Sequence, residues 1–262
     1  MMKKDILYIN GIRLDKELPK DNYLNKLSVI KNLKSSGGVT FEKPISFFVG
    51  ENGIGKSTLI EAIAVNYGFN AEGGSKNYNF STKQTHSILH KYITLVKSFH
   101  FAKDGYFLRA ESFYNASSYM DYLDVERMSD DDYVTYLRKQ DVAENSISKH
   151  NMSHGESFLN IVGNRFDGNG IYILDEPEAA LSPTGIMKLM VYINRLVKCN
   201  SQFIISTHSP MLISMPDADI FEISEKGINK VAYEETNHFI ITKQFLNNPS
   251  RMVQYLLKNE MD

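Results

Sequence analysis

The stretch GENGIGKS, Gly50 to Ser57, sets a lysine and a hydroxyl directly behind three glycines, at the spacing G-x-x-x-x-G-K-[ST]. Residues of these types hold phosphate. Glycines let successive backbone N–H groups curl around phosphate oxygens, a lysine ammonium reaches the terminal phosphates, and a hydroxyl can ligate magnesium. Lys56 and Ser57 are the candidates for the last two roles. Two acids, Asp175 and Glu176, end the apolar run of IYILDEPE, and His208 ends that of FIISTHSP. Carboxylates at the end of a buried strand are costly unless a metal or a water needs them. Asp175 therefore suits a metal's water shell, and Glu176 suits a general base that polarises an attacking water. A surface turn would carry the letters DEPE equally well, but the lysine loop upstream argues against it. A histidine at a sheet's carboxyl edge stands where open α/β folds meet their ligands.

These groups must share one sheet edge, and the flanking patterns can provide it. Ile45 to Val49 reads as a buried strand stopping at Gly50, and LIEAIAVNYGF carries apolar residues at helical spacing up to Gly68. Ahead of them DILYINGIRL, KLSVIKNL and VTFE read as strands, with a Ser-Ser-Gly-Gly turn at 35–38. Residues 70–84 are rich in Gly, Ser and Asn and read as loop; a helix is expected from Ser87 to about Val96, then a strand over 105–111. From 112 to 151 tyrosines and acids alternate at helical spacing without glycine, which predicts a small helical lobe. Beyond it come a helix over 155–165, the strand GIYILDE, a helix from about 184 to 198, the strand QFIIST and a helix near 211. The strands DIFEI and NKVAYEE and a final short helix close the chain. Alternating βα units predict a largely parallel sheet.

The 262 residues are 42% hydrophobic and 11% aromatic, enough to fill a core. With 29 basic and 31 acidic residues the net charge is -2, so no global field draws nucleic acid or anionic membrane. Such a partner needs a local patch. Lys20, Lys26, Lys31 and Lys34 offer one, although a solvated surface explains them too. The single cysteine, Cys199, excludes an intrachain disulfide. MMKKDILYIN lacks the apolar core of a secretory leader, and no stretch nears the roughly 20 apolar residues of a membrane span. A cytoplasmic location without direct membrane insertion is expected.

One short polar segment remains. MSHGES, Met152 to Ser157, precedes the apolar positions Phe158, Leu159, Ile161 and Val162. As a helix start it offers the Ser153 hydroxyl, close backbone approach at Gly155, and free N–H groups that attract an anion. Ser153 with Glu156 three residues on is also a capping box, and the two readings are compatible. Phosphate loop, MSHGES, acid pair and histidine follow the order of the ABC class of ATPases, with MSHGES about twenty residues before Asp175, where that class carries its signature motif. The chain resembles an ABC-class ATPase head over nearly its whole length. His-Gly replaces the usual glycine pair, and Glu156 stands where glutamine is common. The acid loop reads DEPEAALSP, and roughly 95 residues rather than a long coiled coil separate loop from signature. In DEPEAALSP and GENGIGKST the chain is more similar to stand-alone SMC, RecF and overcoming-lysogenisation type heads than to transporter subunits.

The resemblance implies an α/β P-loop NTPase fold of ABC type, with a mixed, largely parallel central sheet, an antiparallel β subdomain and a small helical lobe. It implies one domain over 1–262, in which 1–111 and 152–262 form the nucleotide-binding core and 112–151 the lobe. ATP and Mg²⁺ would be the ligands. Gly50, Asn52, Gly53, Gly55, Lys56, Ser57 and Thr58 would surround the phosphates, Ser57 and Asp175 would hold the metal, and Glu176, His208 and Lys56 would be catalytic. Ser153, Gly155 and Glu156 would bind the γ-phosphate of ATP held by a second copy. An ATP-dependent homodimer with composite sites is then expected, switching an effector protein or a nucleic acid in processing, repair or defence. The alternatives are the ATP-binding subunit of a membrane ABC transporter and a module that binds ATP without turnover. Ser182 replaces an aspartate expected in the loop that contacts the second subunit. The family's glutamine-loop position falls on Gln84 or, by topology, near Glu111 and Ser112; Tyr23 and Arg13 are candidates for the adenine.

Overall fold

Phe47 and Phe48 are both fully buried, on opposite faces of one strand, because successive side chains alternate across a pleat. Each contributes about 1.5–3 kcal/mol by leaving water. The structure is a computed structural model that describes residues 6–75, 87–110 and 154–258. The helical lobe expected over 112–151 lies outside them, as do Gln84, Glu111, Ser112, Met152 and Ser153. In chain order the regular elements are β1 (Ile9–Leu14), α1 (Ser28–Ser36), β2 (Val39–Thr40), β3 (Ile45–Gly50), α2 (Lys56–Tyr67), β4 (Gly74–Ser75), β5 (Ile93–Lys97) and β6 (Asp104–Arg109). Then follow α3 (His154–Arg165), β7 (Gly170–Asp175), α4 (Pro183–Lys198), β8 (Gln202–Ser206), α5 (Pro210–Ile213), β9 (Ala218–Ser224), β10 (Gly227–Lys230), α6 (Asn237–Asn247) and α7 (Pro249–Lys258).

Among the described residues the strands form two sheets. The larger has the order β10-β9-β3-β8-β7-β6-β4, parallel from β9 to β6 with an antiparallel strand at each edge. The smaller, β2-β1-β5, is antiparallel. This is a mixed, largely parallel α/β architecture beside an antiparallel β subdomain, as the sequence predicts. The α2 helix buries Leu59, Ile60, Ala62, Ile63 and Ala64, since it packs between β7 and β8 on one side and β5 on the other. On the opposite face of the large sheet, Phe158 and Val162 of α3 and Leu189 and Ile193 of α4 complete a second core cluster. Gln202 joins the sheets: its Oε1 accepts from the N–H groups of Tyr8 and Ile9 at 2.8 and 2.9 Å, and its Nε2 donates to the Ile9 carbonyl at 2.8 Å. No described helix is long and apolar enough to cross a membrane.

Five local expectations are corrected. NKVAYEE is strand only as far as Lys230, where β10 ends, and Tyr233–Glu235 is a 3₁₀ turn. KLSVIKNL is mostly helix, α1, because Val29, Ile30 and Leu33 bury one helical face and Gly37 ends it in the left-handed conformation (φ 73°). The helix expected over Ser87–Val96 is a 3₁₀ turn, Ile88–Lys91, followed by β5, whose Ile93 and Leu95 alternate inward with period two. Gly74–Ser75, within the expected loop, pairs with β6. The final short helix is two helices, α6 and α7, broken at Asn248 before Pro249, as a proline biases its predecessor away from helix.

Candidate active site

The loop from β3 to α2 is shaped by backbone conformations that favour glycine. Gly55 sits at φ 102°, and a Cβ there would lie 2.6 Å from Cγ1 of Val29. At Gly50 (φ 149°) a Cβ would meet the Ile223 carbonyl oxygen at 2.4 Å. The loop is thus threaded tightly between α1 and β9, and the Val29 N–H donates to the Ile54 carbonyl at 3.2 Å. Lys56 opens α2 and is only 4% exposed; its Nζ donates to the carbonyls of Gly50 at 3.0 Å and Glu51 at 2.9 Å. Burial pushes its ammonium below the usual lysine range, against the opposing pull of Glu176, Asp175 and Glu178. Asn52 and Gly53 are exposed, and Ser57 and Thr58 are half-buried in the first turn of α2.

Across the sheet, Arg109, Asp175 and Ser206 sit side by side at the ends of β6, β7 and β8. Asp175 is buried and accepts from the Ser206 hydroxyl at 2.5 Å. Arg109 Nε lies 3.5 Å from its other oxygen, while Arg109 Nη1 binds Glu61 of α2 at 2.8 Å. Burial raises the Asp175 carboxyl above its ordinary value, although the hydroxyls of Ser206 and Ser57 and the Arg109 charge all pull it down. The Ser57 hydroxyl is thus among the groups that favour the charged form of Asp175. Glu176 adopts the left-handed conformation (φ 49°, ψ 52°), which turns the chain out of β7. Its N–H donates to the Ser206 carbonyl at 3.1 Å, and its carboxylate lies 3.5 Å from His208 Nε2.

His208 follows β8 and is held from two sides. Its N–H donates to Glu178 Oε1, and its Nδ1 is 3.2 Å from Nε2 of His238 on α6. Burial lowers the affinity of both imidazoles for a proton, helped at His208 by Lys56 and at His238 by His208 and Lys56. Glu178 is shifted upward, mainly by burial.

Lys56, Ser57, Asp175, Glu176 and His208 thus gather at one edge. The remaining expected residues stand apart or elsewhere. Gly155 lies in the first turn of α3, where a Cβ would come within 2.8 Å of the Ala180 carbonyl oxygen, so the helix start packs against the turn that follows Glu176 in the same chain. Glu156 is exposed beside it. Ser182 caps α4, accepting from the Gly185 N–H at 3.2 Å. Tyr23 is 57% exposed ahead of α1, and Arg13 is at an exposed position of β1. Sequence reasoning missed Arg109, Ser206, Glu178 and His238. The first three stand within stretches already singled out, the strand expected over 105–111, FIISTHSP and DEPE; His238 has no local signal and meets His208 only through the fold.

A family model described as RecF/RecN/SMC N terminal domain matches residues 23–230. No curated protein matches the chain. Among solved structures the chain is similar to a metal-chelate type ABC transporter in an inward-facing conformation (12% identity over 90% of this chain and 88% of that one, TM-score 0.47). It is also similar to cbiO1 from Clostridium perfringens, part of the ABC transporter complex cbiONQ (18% identity, 96% and 99% covered, TM-score 0.42). A third is MJ1267, an ATP-binding cassette of an ABC transporter in its ADP conformation (16% identity, 96% and 99% covered, TM-score 0.47).

Proposed function

The chain belongs to the RecF/RecN/SMC N-terminal domain family, and from that premise we propose that it works as an ATP-driven dimerisation switch acting on a partner in nucleic-acid processing, repair or defence. It is an ATP-binding P-loop ATPase domain of ABC type. The observation that carries the finer reading is the convergence of buried Lys56, buried Asp175 and the Glu176–His208 pair, 3.5 Å apart, at one sheet edge.

The β- and γ-phosphates would lie against the N–H groups around Gly53 to Ser57, where the start of α2 favours an anion. Lys56, whose ammonium bonds two loop carbonyls, would exchange them for phosphate oxygens. Ser57 and Asp175 are a hydroxyl and a carboxylate that act on one another across the site, a donor set that suits Mg²⁺. Among the described residues no cluster of three or more His, Cys, Asp or Glu could hold a metal alone, so phosphate oxygens and water would complete the shell. Mg²⁺, when bound, neutralises charge on the β- and γ-oxygens. Glu176 takes a proton from water as the water oxygen bonds to the γ-phosphorus. The bond from that phosphorus to the β–γ bridging oxygen breaks, giving ADP and phosphate. His208 Nε2–H donates to a γ-oxygen.

The second copy is supported by the family resemblance and by the position of Gly155 and Glu156 in the first turn of α3, the end of a helix that favours an anion. Residues 1–111 and 152–262 would act as one core and 112–151 as its lobe. Glu176→Gln should keep ATP binding, lose about 10²- to 10⁴-fold in turnover and accumulate as a dimer by light scattering. A monomer at saturating ATP refutes the switch. DNA binding that falls steeply with salt would identify a nucleic-acid partner, and no binding at about 50 mM salt would remove it. Co-purification with a membrane protein would replace this reading by that of a transporter subunit.

A further inference from the structure

We propose that His238 is a positioning residue for His208: its Nε2–H donates to His208 Nδ1 and fixes His208 as the tautomer that carries its proton on Nε2. The inference deepens the role given to His208 above, and rests on that role only for its kinetic consequence.

The argument comes from both ends of the pair. The two nitrogens are 3.2 Å apart, so one imidazole donates and the other accepts. Both rings are buried enough to favour the neutral form, and Lys56 disfavours a proton on either. If His208 donated through Nδ1, its Nε2 would present a lone pair to the Glu176 carboxylate 3.5 Å away, acceptor against acceptor. The same arrangement would place a proton on His238 Nδ1, which is buried and has no hydrogen-bond partner among the described residues; orphaned buried N–H groups are rare. With His238 donating, the proton moves from His238 Nδ1 to His208 Nε2, where the Glu176 carboxylate lies 3.5 Å away. His208 Nε2–H then faces Glu176, and His238 Nδ1 keeps only an unshared lone pair. His208 Nε2 is itself buried without a hydrogen-bond partner, so a donor is held ready at the edge where a γ-phosphate oxygen would accept it.

The support for His238 is equally specific. Thr236, fully buried, caps α6 by accepting from the Phe239 N–H at 3.2 Å, and the Asn237 N–H donates to Glu222 Oε1 of β9 at 2.9 Å. These bonds seat the first turn of α6 on the sheet with His238 between them. The second ring nitrogen of a working histidine is generally fixed by such a partner, and here the partner is a second imidazole on a helix that carries no other residue of the site.

The test reads the tautomer directly. In the nucleotide-free protein labelled with ¹⁵N-histidine, long-range ¹H–¹⁵N correlation, with the signal assigned through His208→Asn, should show His208 protonated at Nε2. His238→Phe, which keeps bulk and removes the donor, should shift His208 towards a tautomer mixture. His238→Gln, which presents an amide N–H, should restore it. In ATP turnover His238→Phe should lower kcat about 10- to 100-fold with KM within about twofold, and His238→Gln should recover most of the loss. Wild-type His208 protonated at Nδ1, or a tautomer unchanged in a folded His238→Phe, overturns the proposal. The spectrum of the wild-type protein decides even where the Phe variant does not fold. It also decides where the chain proves not to hydrolyse ATP, so failure of the switch and failure of this pairing are separately visible.

Discussion

His208 and His238 lie within reach of Lys56, and burial holds both below the ordinary histidine value of 6.5. The unfolded chain therefore binds protons that the folded one refuses. Their contribution to stability is present above about pH 6.5 and is lost as pH falls from there through the folded values. Asp175 and Glu178, raised above 3.8 and 4.5, run the other way: their contribution is present at low pH and lost as pH rises through the raised values. The histidine part is separable by difference. The double variant His208→Gln, His238→Gln should lose less thermal stability than the wild type between pH 7 and pH 5, and parallel melting curves across that range would count against it. Motif chemistry made Lys56, Ser57, Asp175, Glu176 and His208 legible, since each follows an apolar strand or a glycine loop. It could not reveal His238 or Arg109. The partner of an imidazole or a carboxylate is chosen by strands and helices meeting in space, and His238 stands 30 residues from His208 along the chain.

At the scale of elements, the phosphate loop depends on α1 as much as on its own glycines. Val29 occupies the space that a Cβ at Gly55 would need, whereas nothing lies within 4 Å of one at Gly53 (φ 78°). Gly55→Ala thus combines a left-handed backbone cost of about 1–3 kcal/mol with a steric clash, and Gly53→Ala carries only the backbone cost. Chemical denaturation should place Gly55→Ala clearly below Gly53→Ala in stability; equal midpoints would contradict the packing. The parallel strands were legible because both faces are buried and the runs are continuously apolar. KLSVIKNL was not, since Val29 and Ile30 are adjacent β-branched residues and such residues favour strands, while their actual burial follows the helical spacing to Leu33. Ser87 to Val96 failed for the converse reason. A 3₁₀ turn and a short alternating strand joined end to end imitate a helical period over ten residues.

For the whole molecule, the proposed switch requires a second copy to complete the site. Ser153 is the residue through which the resemblance assigns one copy to the other's ATP. Ser153→Arg should prevent the dimer in a Glu176→Gln background, by light scattering, while sparing nucleotide binding at a single site; loss of single-site binding would place Ser153 in its own chain's pocket instead. The lysines proposed for nucleic acid do not form an uninterrupted patch. Lys31 and Lys34 share a groove with Lys16, Asp15 and Glu17, so a polyanion there would meet both signs of charge.

The alignment of Arg109, Asp175 and Ser206 across three adjacent strands has a consequence for how this chain can change. Because side chains switch face at every step, a single residue gained or lost inside β7 would bring Leu174 or Glu176 into line and exchange Ile171 and Ile173 of one core cluster for Tyr172 and Leu174 of the other. The rim of the sheet that carries Arg109, Asp175 and Ser206 is therefore fixed to the residue.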